Sequence, residues 1–569
     1  MGEIWDKLCT YEALKGGWYL AYNDLKRDFL EVPFIKEQFA SNLDENLNEL
    51  VRQLKTEQFR HKNVIRIAVT KGNLSTRPGA FIPLESRIVL FATIKLIAKQ
   101  LDDRLIENVF SCRVKKKIKD KLFQESSLGM PPFIKQKTIY SLIDPFEAWY
   151  DVWPKFERES VDVCIHGDHK YMAVTDISAY FENIQLEILR DQLLSYLPDE
   201  QQITNLFIGA FSSWTSETPQ GRKYLRGIPQ GSDIPRFFGN LFLVPIDLVL
   251  KELNGELEII YYRYMDDIRI FAKTELSAKQ AILGFETEIR KRHLNLQSAK
   301  TKILNERFRE VSHFLIDKRL ADLDDLVKRI KADKDVAKKS GKVFDINPFI
   351  KELKRLQSVE PNAPHLGEQK IKGANKALTG LSDRLFRRLI GLYLGLESGD
   401  IVPRLLSEIK RNSDRRYCQL VVSFSRAFPR LKHIQTYLLK LIASGNVMAP
   451  SIEAELIRAC RYQSRISEDL KEHSLTRAHD NNQTIQVRVQ ALVLIARTKL
   501  DTGDIKKAKT IFNTSDNILI KRAASLILVR QREEANEAFL RSMVFHPNNE
   551  LREFGRYLHS CKTDEVQCR

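Results

Sequence analysis

The chain has 569 residues, of which 43% are hydrophobic and 29% are charged, the balance of a soluble globular protein. A chain of this length exceeds what one hydrophobic core can organise, so two or three domains are expected. Its 91 Lys and Arg against 74 Asp and Glu leave a net charge of +17, which favours a polyanionic partner, although many basic proteins bind no nucleic acid.

Neither a membrane span nor an oxidising compartment is expected. No stretch approaches 18 uninterrupted apolar residues, and Glu3, Asp6 and Lys7 interrupt any signal-peptide core at the N-terminus. The seven cysteines are scattered without a Cys-x-x-Cys pair, a pattern that fits neither a disulfide framework nor a zinc site. We therefore expect reduced thiols in a cytoplasmic protein.

The first part of the chain is predicted to be largely helical. Residues 1–60 have the pattern of an N-terminal helical segment, residues 63–69 of a strand, and residues 86–110 of a long helix. The loop before that helix contains Arg77-Pro78-Gly79, a turn signal beside a basic residue. A lysine run follows, which is either a solvated face or a contact with a phosphate backbone. Its members are Lys115, Lys116, Lys117, Lys119 and Lys121.

Short β-rich runs alternate with helices over residues 135–317, and the character of the chain then changes. Residues 318–342 are densely basic, and a loop rich in Pro and Gly spans 358–374. From about 376 onward, helical patterns alternate with short polar breaks, which resembles an α-helical repeat array without a fixed period. The clearest predicted strands of the earlier region are Met172–Asp176, Ile259–Met265 and Ile268–Ala272.

The last two predicted strands flank Asp266 and Asp267, so they predict a hairpin with an acidic turn. Adjacent carboxylates repel each other, and a cation with hard oxygen ligands, such as Mg²⁺, removes that cost. The alternative is an ordinary exposed turn, because Asp favours turns. Asp176, at the end of another apolar strand, supplies a second carboxylate site, as two-metal phosphoryl transfer requires.

Between these carboxylates lies the sequence GIPQGSDIPRFFGNLFL, residues 227–243. Gly227 and Gly231 flank Pro229-Gln230 and give a backbone that can approach a ligand closely. A loop of this kind before a helix can line the underside of a base pair. The alternative is a plain Pro/Gly turn between two elements.

Three of these motifs together resemble those of reverse transcriptases. Tyr264-Met265-Asp266-Asp267 is similar to the family's YxDD box, Asp176 with Phe181 to its first catalytic motif, and Gly227–Gly231 to its PQG motif. Leu294–Ile303, with Lys300-Thr301, resembles the next motif. His313-Phe314-Leu315 falls at the primer-grip position but lacks the usual Leu-Gly pair, while Arg77 and Arg87 fall where the fingers of prokaryotic members bind triphosphate. The resemblance covers roughly residues 60–320.

The resemblance implies a right-hand polymerase that binds two Mg²⁺, with Mn²⁺ as a substitute, and uses dNTPs. The implied catalytic residues are Asp176, Asp266 and Asp267, and the metal ligands are these three together with Ile177. The implied nucleotide-binding residues are Arg77, Arg87, Phe181, Gln230 and Lys300. The implied template or primer contacts are Gly231, Tyr264, Met265, Lys115, Lys116 and Lys117. Phe181 falls at the steric-gate position that excludes a ribose 2′-hydroxyl, with core packing as the alternative, while Tyr180 is expected to be structural.

The expected fold class is an α+β right-hand polymerase followed by an all-α, helical-repeat-like C-terminal domain. The expected domains are an N-terminal helical segment (1–60), fingers (61–134), palm (135–317), a basic thumb-like connector (318–375) and the helical domain (376–569).

This architecture resembles abortive-infection and defence-associated bacterial reverse transcriptases, related to group II intron and retron enzymes. The resemblance implies RNA-directed, non-templated or protein-primed DNA synthesis in antiphage defence. The implied partners are a dedicated non-coding RNA as template, the DNA product and further copies of the chain in a homo-oligomer, with no membrane. The alternatives are a retron or mobile-element reverse transcriptase and, in another class, a catalytically silent nucleic-acid-binding scaffold.

Overall fold

The computed structural model describes most of the chain. The described residues are 2–25, 28–71, 75–115, 145–214, 225–305, 318–358, 386, 388–412, 415–430, 433–443, 449–530 and 534–561. The chain divides into two compact units. The first comprises Met1–Glu31, Ile35–Ile67 and Pro78–Leu315; the second comprises Val32–Phe34, Ala68–Arg77 and Ile316–Arg569.

Helices make up most of the described part of the first unit. They are α1 (Glu3–Leu8), α2 (Tyr11–Asp24), α3 (Ile35–Ser41), α4 (Leu43–Lys55), α5 (Leu84–Asp102), α6 (Trp149–His166), α7 (Tyr180–Asn183), α8 (Leu186–Tyr196), α9 (Gln201–Trp214), α10 (Asp233–Phe242), α11 (Val244–Leu257) and α12 (Glu275–Lys291). The longest, α5, begins after Pro83 and buries most of its apolar side chains. It ends at Asp102, eight residues before the predicted end, because the chain turns there: Asp103 caps the helix and Leu105 donates its N–H to the Asp102 carbonyl.

The strands form two sheets. β1 (Ile65–Lys71) and β2 (Ser75–Phe81) pair with each other, while β3 (Tyr171–Asp176), β4 (Ile259–Tyr264), β5 (Asp267–Ala272) and β6 (Lys302–Asn305) form a four-stranded sheet. The order of that sheet is β4-β5-β3-β6, and all its pairs are antiparallel.

The two faces of the four-stranded sheet are both covered, since successive side chains of a strand point to opposite faces. On one face Ile259, Tyr261 and Ile270 belong to the main core of the unit, together with apolar residues of α10, α11 and α12. On the other face Met172 and Phe271 form a smaller cluster. Helix α6 also contacts this side through Phe156, beside Phe110 and the aromatic residues of β4.

Two helix starts in this unit illustrate how local sequence sets the elements. Ser232 caps the start of α10, where its hydroxyl accepts the Ile234 N–H at 3.4 Å, and Thr274 caps the start of α12, where its hydroxyl accepts the Ser277 N–H at 3.0 Å. Both side chains satisfy backbone donors that the first turn of a helix leaves open. Helix α10 therefore starts directly after the PQG loop.

In the second unit, the described elements from residue 318 onward are helices. They are α13 (Lys318–Ser340), α14 (Asn347–Ser358), α15 (Val402–Asn412), α16 (Arg415–Ala427), α17 (His433–Ala443), α18 (Pro450–Cys460), α19 (Glu468–His479), α20 (Ile485–Ile495), α21 (Thr502–Thr514), α22 (Ile518–Arg530), α23 (Glu534–Val544) and α24 (Asn549–Ser560). Apolar residues of α13 to α20 share one buried cluster. None of the helices within the described ranges is long and apolar enough to cross a lipid bilayer.

Candidate active site

Three aspartates meet at one end of the four-stranded sheet. Asp176 ends β3 and lies opposite Asp267, the first residue of β5, while Asp266 occupies the turn between β4 and β5. The predicted strand Ile259–Met265 ends one residue early because Met265 adopts a left-handed φ of +58° and belongs to the turn. Antiparallel pairing thus brings together carboxylates that are about ninety residues apart in the chain.

The crowding of these carboxylates shifts their acidity. Burial, with the negative charges of Asp176 and Asp267, raises the pKa of Asp266 from 3.8 to about 7. Asp267 reaches solvent, but the protein around it partly desolvates its carboxylate. That desolvation and the Asp176 charge raise the pKa of Asp267, while Arg269 and Lys300 oppose the rise. A hydrogen bond between Asp266 and Asp176 also favours the protonated form of Asp266.

The donor set suits a divalent cation that is bound together with its substrate. Within the described ranges, no three His, Cys, Asp or Glu side chains are arranged to hold a metal ion. Instead, the Lys300 ammonium pairs with the Asp176 carboxylate, whose side chain is 13% exposed. Hard carboxylate oxygens under mutual repulsion fit Mg²⁺, which takes one or two protein carboxylates plus substrate phosphates. The hydrocarbon side chain of Ile177 has no atom that can ligate a metal, so a metal contact would use its backbone carbonyl, and that assignment stays a prediction.

Cation binding should therefore weaken as the pH falls through 7. Below pH 7 the metal-free protein holds a proton at Asp266, and a cation must displace it. We expect Mn²⁺ affinity, measured by electron paramagnetic resonance without nucleotide, to be about 10-fold lower at pH 6 than at pH 8. An affinity that is the same at both pH values would contradict the raised pKa.

The predicted steric-gate residue lies on the short helix α7, directly after β3. Tyr180 is 2% exposed and donates its hydroxyl to the Gly239 carbonyl, whereas Phe181 is half-buried. The two rings are 5.3 Å apart at 63°, and a Cβ at Gly239 would lie 3.1 Å from the Phe181 ring. Phe181 therefore packs on α10 but keeps some surface open, a position compatible with both of its predicted roles.

The PQG loop is held on both sides by backbone hydrogen bonds. Gly227 and Ile228 donate their N–H groups to the carbonyls of Ile184 and Phe181, at 2.7 and 2.8 Å, and the Gln230 carbonyl accepts the Ala80 N–H at 2.9 Å. The loop thus joins the segment around α7 to strand β2. Gln230 itself is half-buried.

Gly231 needs to be glycine for two reasons. Its φ is +141°, and an added Cβ would lie 2.9 Å from both the Ala80 carbonyl oxygen and the Phe29 ring. A side chain at this position would push the loop away from β2. The close packing supports a structural need for Gly231, while its contact with template or primer stays a prediction.

Arg87, predicted to contact the triphosphate, is buried beside two aspartates. Its side chain is 1% exposed and forms ion pairs with Asp24 and Asp28, with further hydrogen bonds to the Ile82 carbonyl. Burial raises the pKa of Asp24 to about 6, and the Arg87 charge opposes that rise. This guanidinium is bonded to buried carboxylates and has almost no exposed surface, which supports a structural role for Arg87, and its triphosphate contact stays a prediction.

Met265 and Tyr264 of the YxDD box differ in how much of their side chains is exposed. Met265 is 8% exposed, which leaves its side chain little surface, and its contact with template or primer stays a prediction. Tyr264 is half-buried and packs its ring 4.6 Å from Trp153 and 5.7 Å from Phe156. A contact of Tyr264 with the template stays a prediction.

The other basic residues predicted to bind nucleotide or template lie in different parts of the chain and have different surroundings. Lys300 lies at the aspartates, Arg77 is exposed on β2, and Lys115 bonds through its backbone N–H to the Pro145 carbonyl at 2.9 Å. Lys116 and Lys117 lie outside the described residues, as does the predicted primer grip His313-Phe314-Leu315. Nucleotide or template binding by these residues stays a prediction.

One buried polar residue beside the acidic turn was not predicted from the sequence. Arg263 on β4 is fully buried and bonds to Asp247 on α11 and to Asn240 on α10. A charged residue at an inward-facing position of an otherwise apolar strand was the signal that could have revealed it.

Comparison with known proteins gives one family match in sequence. Residues 93–315 match the family described as reverse transcriptase (RNA-dependent DNA polymerase). No curated protein matches the chain. The matched residues, which include all three aspartates, therefore form a reverse transcriptase domain, and the predicted enzyme class, a nucleotidyltransferase of the reverse transcriptase type, is confirmed at that level.

The solved structures that resemble the chain include telomerases from two yeasts. Telomerase from Candida albicans in complex with a fragment of telomeric RNA is 9% identical, with a TM-score of 0.30 over 72% of this chain and 68% of that one. Apo telomerase from Candida tropicalis is 7% identical, with a TM-score of 0.29 over 91% and 74%. A form truncated from its C-terminal domain is 9% identical, with a TM-score of 0.28, and this chain spans 55% of it. Likeness at this level carries no argument about function.

Proposed function

We propose that the chain is an RNA-directed DNA polymerase that joins dNTPs at a site formed by Asp176, Asp266 and Asp267. The observation that carries the proposal is the register of β3 against β5, which sets Asp176 opposite Asp267 with Asp266 in the adjoining turn, inside a reverse transcriptase domain. Burial and the charges of the two neighbouring carboxylates raise the pKa of Asp266 to about 7, which is a costly arrangement for a purely structural turn.

In this proposal the protein contributes chiefly position and electrostatics. Two bound Mg²⁺ would supply charge neutralisation at the attacking and leaving oxygens of the α-phosphorus. The three aspartates hold the cations, and Lys300 leaves Asp176 for the negative charge of the incoming triphosphate. Gln230 in the PQG loop contacts the base pair, and Phe181, whose carbonyl accepts the N–H of Ile228 in that loop, contacts the sugar of the incoming nucleotide.

Replacement of Phe181 by Ala should relax the choice of sugar. Removal of the ring opens space for a 2′-hydroxyl, so we expect ribonucleotide incorporation relative to dNTP incorporation to rise about 10–100-fold. The measurement is competitive incorporation of labelled NTP and dNTP by the purified protein. Tyr180→Phe is the matched control, because it removes only the buried hydroxyl and should leave the ratio unchanged. An unchanged ratio in Phe181→Ala would assign Phe181 to the core instead.

For the wider role we propose RNA-templated, non-templated or protein-primed DNA synthesis in antiphage defence. The protein acts in the cytoplasm as a homo-oligomer, and its partner is a dedicated non-coding RNA. The support is the combination of a reverse transcriptase domain with a helical C-terminal part, which is an analogy. Sequencing the RNA and DNA that co-purify with the protein tests it. Label that stays with the protein after denaturation and is released by protease would support protein priming. RNA derived from a mobile element or retron would favour that alternative.

One observation favours a second candidate, a catalytically silent nucleic-acid-binding scaffold. The Lys300–Asp176 pair already neutralises one of the three carboxylates without a metal. A protein that binds RNA with salt-dependent affinity but incorporates no dNTP at any Mg²⁺ or Mn²⁺ concentration would be this scaffold.

A further inference from the structure

A fully buried polar cluster lies directly beside the catalytic turn. Arg263, Asp247 and Asn240 have no exposed surface. The Arg263 guanidinium uses all five of its N–H donors: Nε and Nη2 bond to the Asp247 carboxylate at 2.7 and 2.5 Å, and Nη1 and Nη2 bond to the Asn240 side-chain and backbone oxygens at 2.7 and 3.2 Å. The fifth bond runs from Nη1 to the Met265 carbonyl at 3.1 Å. A buried charge is tolerated only when its partners are complete, and here they are.

Further bonds extend the cluster to its neighbours. The Tyr261 hydroxyl donates to Asp247 at 2.7 Å, and the Asn240 amide donates to the Ser111 carbonyl at 2.7 Å. The Ser111 hydroxyl in turn lies 3.3 Å from the Asn240 oxygen and accepts the Met265 N–H at 2.8 Å. The cluster therefore connects β4, α10, α11 and the segment after α5.

Both backbone polar groups of Met265 are thus held by this cluster, the carbonyl by Arg263 and the N–H by Ser111. Met265 has a φ of +58°, a conformation that a residue with a side chain adopts reluctantly. It immediately precedes Asp266, so its backbone angles set the direction in which the Asp266 carboxylate points. Hydrogen bonds aimed at such a residue hold a geometry that the chain would not keep unaided.

We propose that Arg263, Asp247, Asn240 and Ser111 are positioning residues that set the Met265 backbone and thereby the placement of Asp266 for its cation. The inference rests on the proposed function, since it gives a support to that same carboxylate site. A cluster that served only to hold α10 and α11 on the sheet would not need bonds to both backbone groups of the turn. Metal sites commonly depend on such outer contacts, whose loss lowers affinity or activity about 10–100-fold.

The test compares Arg263→Lys with Arg87→Lys. Each variant keeps a buried positive charge and loses the planar fork of a guanidinium. The Arg263 fork bonds to Asp247, Asn240 and the Met265 carbonyl, whereas the Arg87 fork bonds to Asp24, Asp28 and Ile82 and not to the turn. Mn²⁺ affinity without nucleotide is measured by electron paramagnetic resonance, and the Mg²⁺ dependence of dNTP incorporation by steady-state kinetics. For Arg263→Lys we expect about 10–100-fold weaker Mn²⁺ binding, a matching fall in kcat and an unchanged dNTP KM. For Arg87→Lys we expect a lower Tm with unchanged Mn²⁺ binding.

Ser111→Ala provides a second variant in case Arg263→Lys does not fold. It removes only the hydroxyl that accepts the Met265 N–H, and we expect weaker Mn²⁺ binding at a near-normal Tm. Wild-type Mn²⁺ affinity in a folded Ser111→Ala or Arg263→Lys protein would overturn the inference. If the wild type binds Mn²⁺ and both variants lose that binding, but no protein incorporates dNTPs, the positioning role holds and the polymerase proposal fails.

Discussion

Asp266→Asn should lower dNTP incorporation at least about 1,000-fold, because it weakens metal-borne charge stabilisation worth several kcal/mol in the transition state. The same change should make the metal-free protein more stable. In the folded state the pKa of Asp266 lies near 7, above its ordinary 3.8, so burying the charged carboxylate costs free energy at neutral pH. An uncharged amide of similar shape removes that cost.

The stabilisation expected from Asp266→Asn depends on pH. A carboxylate whose folded-state pKa is raised destabilises the fold least below pH 4 and most above pH 7. In metal-free buffer, Asp266→Asn should therefore exceed the wild type in unfolding free energy by on the order of 1–3 kcal/mol at pH 8, and by almost nothing at pH 4. Chemical denaturation with EDTA at both pH values measures the difference.

The control is Asp191→Asn on α8, whose carboxylate is 68% exposed and should change neither activity nor stability. An Asp266→Asn protein that is inactive and also less stable than the wild type at pH 8 would mean that Asp266 supports the turn. In that case the charged Asp266 carboxylate would not destabilise the fold, contrary to its raised pKa.

Arg87→Met should have the largest effect on stability. It leaves Asp24 and Asp28 buried without their cation, and breaking a buried ion pair on one side typically costs about 3–5 kcal/mol. The loss should be greater at pH 8 than at pH 5, since the pKa of Asp24 is already about 6 beside Arg87 and rises further without it. Urea unfolding at the two pH values measures both effects.

A triple variant distinguishes the ion cluster from a nucleotide site. Arg87→Met combined with Asp24→Asn and Asp28→Asn leaves no buried charge, so it should recover most of the lost stability. The dNTP KM of the folded protein should stay at the wild-type value in both variants. A near-normal stability of Arg87→Met together with a raised dNTP KM would return Arg87 to triphosphate binding.

The acidic hairpin could be predicted because its signal is local. Apolar, β-forming runs on both sides of Asp266-Asp267 indicate two strands joined by a turn, and the structure has β4 and β5 there. Asp176 could be proposed as their partner from its place at the end of an apolar strand. Its register opposite Asp267 could not be predicted, since strand order and register depend on packing of the whole sheet. The left-handed Met265 was not predictable, because its conformation is held by Arg263 and Ser111 from outside the turn.

The placement of Arg87 shows why basic residues are hard to assign from sequence. The local sequence around Arg87 is the same whether its partner is a phosphate or a carboxylate. Its two partners lie 59 and 63 residues earlier in the chain, in and just after a helix whose own pattern gave no reason to bury aspartates. Arg263 was also not predicted, because its partner Asp247 lies on a different element: Arg263 is on β4 and Asp247 on α11.

The most direct test of DNA synthesis at the three aspartates is labelled dNTP incorporation by the purified protein with its co-purifying RNA and Mg²⁺. The comparison is between the wild type and the double variant Asp266→Ala/Asp267→Ala, with binding of that RNA as a check that the variant is folded. We predict labelled DNA complementary to the RNA from the wild type and none from the variant. Equal incorporation by the two proteins would show that synthesis does not occur at these aspartates and would contradict the account.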